Sequence, residues 1–200
     1  MCLVSIQGGS APVRKLILTE FVSLDGVMEA PGGEPGYAHS GWVGALFNDE
    51  LGAYKLEEQL AADVLLLGRR TYESFYGAWP AREGPMADKI NEMEKAVVSN
   101  TLTASAWTNT TIICGDLHAA IAELKAGSGG PILVPGSRML AQWLLTNELV
   151  DELHLQVFSL MLGSGQRFFP ESPNKRAFTL VDSAALPGGI QAHTYRPIQS

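Results

Sequence analysis

Short apolar runs recur along the first two thirds of the chain, separated by amphipathic stretches. The run Val64–Leu67 is apolar at every position, which is typical of a strand buried on both faces of a sheet. Four further runs, Lys15–Ser23, Lys95–Ser99, Thr111–Cys114 and Pro131–Val134, are also predicted strands.

Apolar residues at helical spacing lie between these strands. The first predicted helix begins near Asn48 or Asp49, either of which can cap it, and the second covers Thr71–Tyr76. Two later helices begin at Asp116 and Ser137. Because strands and helices alternate, this part of the chain predicts a mostly parallel sheet with helices on both faces.

The last third of the chain has a different pattern. Apolar and polar residues alternate over 153–157, and two further β-rich runs, Phe178–Asp182 and Ile190–Tyr195, are joined by a proline–glycine turn. These runs predict antiparallel strands that close one edge of the sheet. The segment Pro80–Pro85 is interpreted as an irregular excursion. The expected fold is a single α/β domain of three layers built on a mixed sheet.

Two segments are predicted to lie outside this regular framework. Residues 1–14 are expected to form a flexible leader ahead of the domain, which covers 15–200. The stretch Asp25–Gly44 is rich in glycine and proline, and a loop of this length is usually a functional lid or a disordered segment. Tyr37 and Trp42 favour the lid, since disordered segments contain few aromatic residues.

Charge and cysteine content narrow the possible partners. A net charge of −7 gives no general affinity for nucleic acid or anionic membranes, and no apolar run reaches the ~20 residues of a transmembrane helix. Cys2 and Cys114 form no C-x-x-C motif, and Cys114 is predicted to be a buried thiol, so a reducing, cytoplasmic compartment is expected. No metal-ligand spacing is seen among the histidines, and His154 and His193 are expected at the surface.

Polar loops follow three of the predicted strands, at 68–71, 99–101 and 135–138. If these strands are parallel, the loops lie at the carboxyl edge of one sheet, where doubly wound folds bind ligands. Glycine permits close approach of the backbone, hydroxyl groups donate to phosphate oxygens, and arginine grips phosphate with two hydrogen bonds. The alternative is that these are ordinary turn residues with solvated arginines. The candidate residues are Gly68, Arg69, Arg70, Thr71, Ser99, Asn100, Thr101, Gly136, Ser137 and Arg138.

The chain resembles the dihydrofolate-reductase-like superfamily. Within it, the resemblance is to bacterial proteins classed with the C-terminal reductase domain of the riboflavin-biosynthesis deaminase–reductase. Each matching motif alone is weak, but their order over residues ~15 to ~197 is fairly specific. The matching stretches are Glu20–Met28, Leu66–Tyr72, Val97–Ser99, Ile132–Ser137, Leu149–Leu153 and Leu162–Phe169.

The resemblance implies a reductase that uses NADPH. It would place the cofactor phosphates against Gly68–Thr71 and Gly136–Arg138, and the adenosine side near Ser99–Thr101. It makes Asp25–Gly44 the flexible loop beside the nicotinamide, with Met28 as a further cofactor contact. The expected substrate is a small pterin- or pyrimidine-like heterocycle, with Tyr37 and Trp42 as candidate contacts, and relatives are often homodimers.

Two departures from the family pattern leave the chemistry open. Pro135 stands where many relatives have glycine or histidine, and proline lacks a backbone donor. The acid expected to contact the substrate has only Asp49 and Glu50 as candidates, and either could be a simple first-turn or capping residue. The main hypothesis is an NADPH-dependent reductase. The alternatives are a nucleotide-binding protein without turnover and an interaction module that uses only the fold.

Overall fold

The structure, a computed structural model, describes residues 13–172 and 174–198. The predicted leader at 1–14 therefore lies almost wholly outside the described residues. Arg14, at its end, is held against the domain, since its backbone N–H donates to the carbonyl of Lys125 at 2.8 Å. In the described part of the chain, no helix is both long and apolar enough to cross a membrane.

The described residues include eight strands and five α-helices. The strands are β1 (Leu16–Ser23), β2 (Val64–Gly68), β3 (Glu94–Val98), β4 (Thr110–Ile113), β5 (Ile132–Pro135), β6 (Glu152–Phe158), β7 (Phe178–Leu186) and β8 (Ile190–Pro197). The helices are α1 (Asp49–Ala61), α2 (Arg69–Ala78), α3 (Pro85–Glu92), α4 (Leu117–Ala126) and α5 (Arg138–Thr146).

All eight strands form one sheet, in the order β4-β3-β2-β5-β1-β6-β8-β7. The ladders from β4 to β6 are parallel, and β7 and β8 add an antiparallel edge. The α/β class, the mixed sheet and the antiparallel C-terminal edge are confirmed. The prediction for β6 was correct on one side only: it pairs with β8 antiparallel, but with β1 in parallel, from Ile17–Glu152 to Ser23–Phe158. The loop after β6 therefore also leaves the carboxyl edge of the sheet.

Each face of the central sheet packs against its own helices. Leu18 and Leu66 contribute to one core beneath α4 and α5, together with Ile121 and Leu144 of those helices. The residues adjacent to these in the same strands face the opposite side of the sheet. Leu65, for example, packs there with residues of α2 and α3. This alternation explains why the central strands are apolar at almost every position.

The irregular segment is confirmed at 80–84, where no helix or strand is formed. The helix α3, which was not predicted from the sequence, follows it and begins at Pro85; proline suits the first position of a helix because its missing N–H would be unpaired there anyway. One local prediction was wrong. Cys114 was predicted to be buried but is exposed, because it follows the last residue of the short edge strand β4.

Candidate functional site

The ends of β2, β3 and β5 meet at one edge of the sheet. These strands are parallel and stand side by side in the order β3-β2-β5. The three loops selected from the sequence all follow their carboxyl ends, as predicted. Gly68 pairs with Val98, so Ser99 begins its loop at the same level of the sheet.

The loops after β2 and β5 touch each other. The backbone N–H of Gly68 donates to the hydroxyl of Ser137 at 2.8 Å. A Cβ atom on Gly68 would lie 3.3 Å from that hydroxyl oxygen, and one on Gly136 would lie 3.4 Å from the side chain of Thr71. Glycine at both positions therefore permits the close approach of the two loops.

The turn from β5 into α5 has an unusual backbone. Gly136 and Ser137 are both left-handed, with φ of 60° and 62°. Glycine adopts this conformation without steric cost, whereas serine does so only under strain. Ser137 is the N-cap residue of α5, but its hydroxyl accepts from Gly68 instead of from its own helix. The first N–H groups of α5 therefore lack a side-chain cap.

The N-terminus of α2 also lacks a side-chain cap. Its N-cap residue is Gly68, which has no side chain to cap the helix. Neither α2 nor α5 carries an acidic residue in its first turn, whereas α1 has Asp49 and Glu50 there. Two helix N-termini with uncapped donors and no acid thus lie side by side, which favours the binding of an anion between them.

The arginines of the two loops differ in their contacts. Arg69 forms an exposed ion pair with Glu73 at 2.8 Å. Arg70 is exposed and makes no hydrogen bond or ion pair with the residues that the structure describes. Arg138 donates from Nε to the side chain of Gln166 at 2.7 Å. An exposed pair such as Arg69–Glu73 contributes only about 0.5 kcal/mol, so both Arg69 and Arg70 are available to an incoming phosphate.

The loop after β3 has one buried residue, Ser99, followed by two exposed residues, Asn100 and Thr101. Ser99 is buried, and its hydroxyl accepts from the backbone N–H groups of Thr101 and Leu102 at 3.1 and 2.9 Å. Ser99 therefore shapes the turn. Asn100 and Thr101 are exposed and present their polar groups to solvent.

The stretch predicted as a lid is folded onto the domain. Met28 is buried and belongs to the same core cluster as Leu140, Ala141 and Leu144 of α5. Trp42 is buried as well, and its ring lies edge-on to Phe158 at 5.2 Å between centroids. Tyr37 is half-buried and donates to the carbonyl of Ser164 at 2.7 Å.

Asp25 joins the lid to the loop that follows β6. Its carboxylate accepts from the Ser23 hydroxyl at 2.6 Å and from the backbone N–H groups of Leu162 and Gly163 at 3.1 and 2.9 Å. The Ser23 hydrogen bond, with help from the two backbone donors, lowers the pKa of Asp25 to about 2. Because β6 runs parallel to β1, this loop leaves the same edge of the sheet as the three loops selected from the sequence.

The acid candidates from the sequence lie on the surface. Asp49 and Glu50 are exposed in the first turn of α1, whose N-cap is Asn48. The buried carboxylates are elsewhere, since Glu20 in β1 is 3% exposed and the side chain of Glu58 in α1 is 6% exposed. Sequence reasoning did not select either, because a single glutamate in a strand or helix carries no signal of burial.

Glu58 is the centre of a buried polar cluster between α1 and the sheet. It accepts from the Thr19 hydroxyl at 2.8 Å, pairs with the ammonium of Lys55, and lies 2.6 Å from Nδ1 of His154. Burial acts to raise the pKa of Glu58, but Lys55 and His154 overcome this and lower it to about 2. His154 was predicted at the surface and is instead mostly buried, because α1 covers the polar face of β6.

Comparisons with known proteins agree with this architecture. The chain is 24% identical over 188 residues to YyaP of Bacillus subtilis (strain 168), an uncharacterised protein, covering 91% of this chain and 94% of that one. A solved putative riboflavin biosynthesis protein from Shewanella sp. PV-4 superposes with a TM-score of 0.73 at 23% identity, covering 92% of this chain and 99% of the other.

A more distant structural neighbour has the same fold. Dihydrofolate reductase from Enterococcus faecalis, solved as a complex with NADP(H), superposes with a TM-score of 0.60 at 16% identity, covering 92% of this chain and 97% of the other. The family model of the RibD C-terminal domain matches residues 14–192. This chain, with its dihydrofolate-reductase-like fold, belongs to the RibD C-terminal domain family.

Proposed function

We propose that this protein is an NADPH-dependent reductase that transfers a hydride to a small heterocyclic substrate of the pterin or pyrimidine type. The observation that carries the proposal is the contact between Gly68 and Ser137, which sets the uncapped N-termini of α2 and α5 side by side. Two adjacent helix N-termini suit the two phosphates of a dinucleotide. Membership of the RibD C-terminal domain family supports the same reading.

The residues at the carboxyl edge fit this cofactor. In the proposal, Gly68–Thr71 and Gly136–Arg138 hold the phosphates, and Asn100 and Thr101 lie on the adenosine side. Bound NADPH supplies the hydride. The lid excludes water from the reacting rings, since it is anchored to the loop after β6 through Asp25. Arg69 and Arg70 favour the additional phosphate that distinguishes NADPH from NADH.

Titration of the protein with NADPH and with NADH tests the cofactor assignment. We expect NADPH to bind more tightly, and we expect Arg69→Ala and Arg70→Ala each to weaken NADPH binding about tenfold while changing NADH binding less, since a charge-assisted contact is worth roughly 1.5–3 kcal/mol. Arg82→Ala is the matched control, because Arg82 lies beyond the other end of α2 against Trp79. Equal affinity for both cofactors in all variants would remove the arginines from the site.

A second candidate function is nucleotide binding without turnover. It is favoured by the exposed positions of Asp49 and Glu50, which leave the substrate side without the acid that the family resemblance led us to expect. Binding of NADPH with no loss of its absorbance in the presence of pterins, ribosylamino-pyrimidines or simple carbonyl compounds would favour this alternative. Oxidation of NADPH by any of them would favour the reductase.

We also propose that the protein is a cytoplasmic homodimer. The edge strand β7 supports the dimer, because Leu180 and Val181 are 50% and 41% exposed on an edge that no strand covers within the described residues. Light scattering during size-exclusion chromatography should give twice the chain mass of 21.5 kDa. A monomeric mass at micromolar concentration would contradict it.

A further inference from the structure

β1 extends beyond the strand that lies next to it. The ladder between β1 and β5 ends at the pair Thr19–Pro135, whereas the ladder between β1 and β6 continues to Ser23. β5 then turns away at Gly136. Within the described residues, the part of β1 from Glu20 onward therefore has a strand on one side only. We call this break in the sheet the β1/β5 opening; it lies directly beside the loop proposed to bind phosphate.

Glu20 is the first residue of β1 in this opening. It is 3% exposed, and its ladder neighbour on the other side is Leu155 of the apolar core. The backbone N–H of Gly136 acts on its carboxyl group and opposes the rise of its pKa. Its Oε1 atom is buried and has no hydrogen-bond partner among the described residues. Leaving such an atom unpaired costs about 1–3 kcal/mol, so a bound partner is the natural reason for it to persist.

The surroundings of Glu20 favour the protonated form of its carboxyl group. Burial raises its pKa well above the usual value, and the negative charge of Glu58 acts in the same direction. The positive charge of Lys55 and the Gly136 hydrogen bond oppose the shift without cancelling it. A protonated carboxyl carries an O–H donor, and Oε1 of Glu20 has no hydrogen-bond partner among the described residues that could accept from it.

We propose that Glu20 is a ligand-binding residue of the dinucleotide site, where its carboxyl forms the floor of the β1/β5 opening and donates a hydrogen bond to an uncharged oxygen of the bound cofactor. The inference rests on the proposed function, since it requires a dinucleotide at this edge. The acceptor is a carboxamide or ribose oxygen, because these are the uncharged oxygens that the cofactor offers.

NADPH binding to full-length variants tests this role. Glu20→Gln keeps a donor for the ligand and an acceptor for Gly136, so its dissociation constant should stay within about twofold of the wild-type value. Glu20→Leu removes both groups and should weaken NADPH binding at least about fivefold, the loss of one net hydrogen bond. Gln59→Leu is the matched control: Gln59 is also buried with an unpaired side-chain oxygen, but it lies near the end of α1 away from the opening.

The comparison among these variants separates the possible results. Thermal unfolding of each variant confirms that it is folded, and Glu20→Met replaces Glu20→Leu in the test if Glu20→Leu does not fold. Wild-type affinity in Glu20→Leu, or a loss in Glu20→Gln as large as that in Glu20→Leu, overturns the role of Glu20 and leaves the proposed function intact. Absence of NADPH binding in the wild-type protein overturns the proposed function itself. An equal loss in Gln59→Leu and Glu20→Leu shows a general packing effect and also overturns the role of Glu20.

Discussion

Two buried glutamates on opposite faces of β1 have opposite surroundings. Glu58 reaches the α1 face, where Thr19, Lys55 and His154 satisfy its carboxylate. Glu20 lies on the other face, beside the β1/β5 opening, with one oxygen unpaired. Their pKa values move in opposite directions: that of Glu58 falls to about 2, and that of Glu20 rises.

The contrast separates a structural carboxylate from a functional one. A buried charge that is paired on every side needs no ligand, whereas a buried carboxyl group with an unpaired oxygen is incomplete without one. The paired cluster should therefore matter mainly for folding, and the unpaired group mainly for binding. Substitution of Glu58 should therefore lower the free energy of unfolding, whereas substitution of Glu20 should weaken ligand binding.

The largest effect is expected from Glu58→Gln. This change leaves the ammonium of Lys55 in a buried site without its counter-charge, and removing one partner of a buried pair costs about 3–5 kcal/mol. Urea denaturation should show this fall in the free energy of unfolding, with little change in NADPH affinity for the fraction that remains folded. A double variant, Lys55→Met with Glu58→Leu, should lose less than the sum of its single variants. Strict additivity would show that the two charges are not coupled.

The two glutamates should affect the pH dependence of the free energy of unfolding with opposite signs. The pKa of Glu58 is lowered from 4.5 to about 2, so its contribution is present above pH 4.5 and is lost as the pH falls toward 2, by roughly 3 kcal/mol. The pKa of Glu20 is raised, so its contribution is present below pH 4.5 and is lost as the pH rises through the folded value.

Urea denaturation at a series of pH values tests the direction of both pKa shifts. Glu58→Gln should flatten the acid limb of the stability curve, and Glu20→Gln should flatten the part of the curve in which stability falls as the pH rises above 4.5. Unchanged acid dependence in Glu58→Gln would contradict the assignment of the lowered pKa. The difference between each variant and the wild-type protein is the quantity to measure, because the other ionisable groups contribute equally to both.

A smaller effect is expected at the contact between the loops that follow β2 and β5. Ser137→Ala leaves the N–H of Gly68 without its acceptor, which costs about 1–2 kcal/mol of stability and loosens both loops. NADPH affinity should fall together with the midpoint of thermal unfolding, unlike in Glu58→Gln. Ser183→Ala on the exposed strand β7 is the control and should change neither quantity.

The smallest effect is expected for an exposed carboxylate. Glu73→Gln breaks the surface pair with Arg69 and should change the free energy of unfolding by no more than about 0.5 kcal/mol. It should also tighten NADPH binding slightly, because it frees the guanidinium. A loss of stability as large as that in Glu58→Gln would contradict the claim that burial makes the difference.

The sequence was informative about the carboxyl edge and much less so about either glutamate. Continuous apolar runs such as Val64–Leu67 predicted central parallel strands, so the positions of the three following loops could be predicted as well. The direction of β6 could not, because its alternating pattern is typical of a strand with one solvated face. In the structure, α1 covers that face of β6, and the carboxylate of Glu58 contacts Nδ1 of His154. Burial of Glu20 depends on where β5 ends, which no local pattern records.

A crystal structure of the protein with NADPH bound would be the most direct test. We predict phosphate groups at the N-termini of α2 and α5, and a cofactor oxygen within hydrogen-bonding distance of Glu20 Oε1 in the β1/β5 opening. Cofactor bound away from these loops, or a Glu20 carboxyl that still lacks a partner in the complex, would contradict the account.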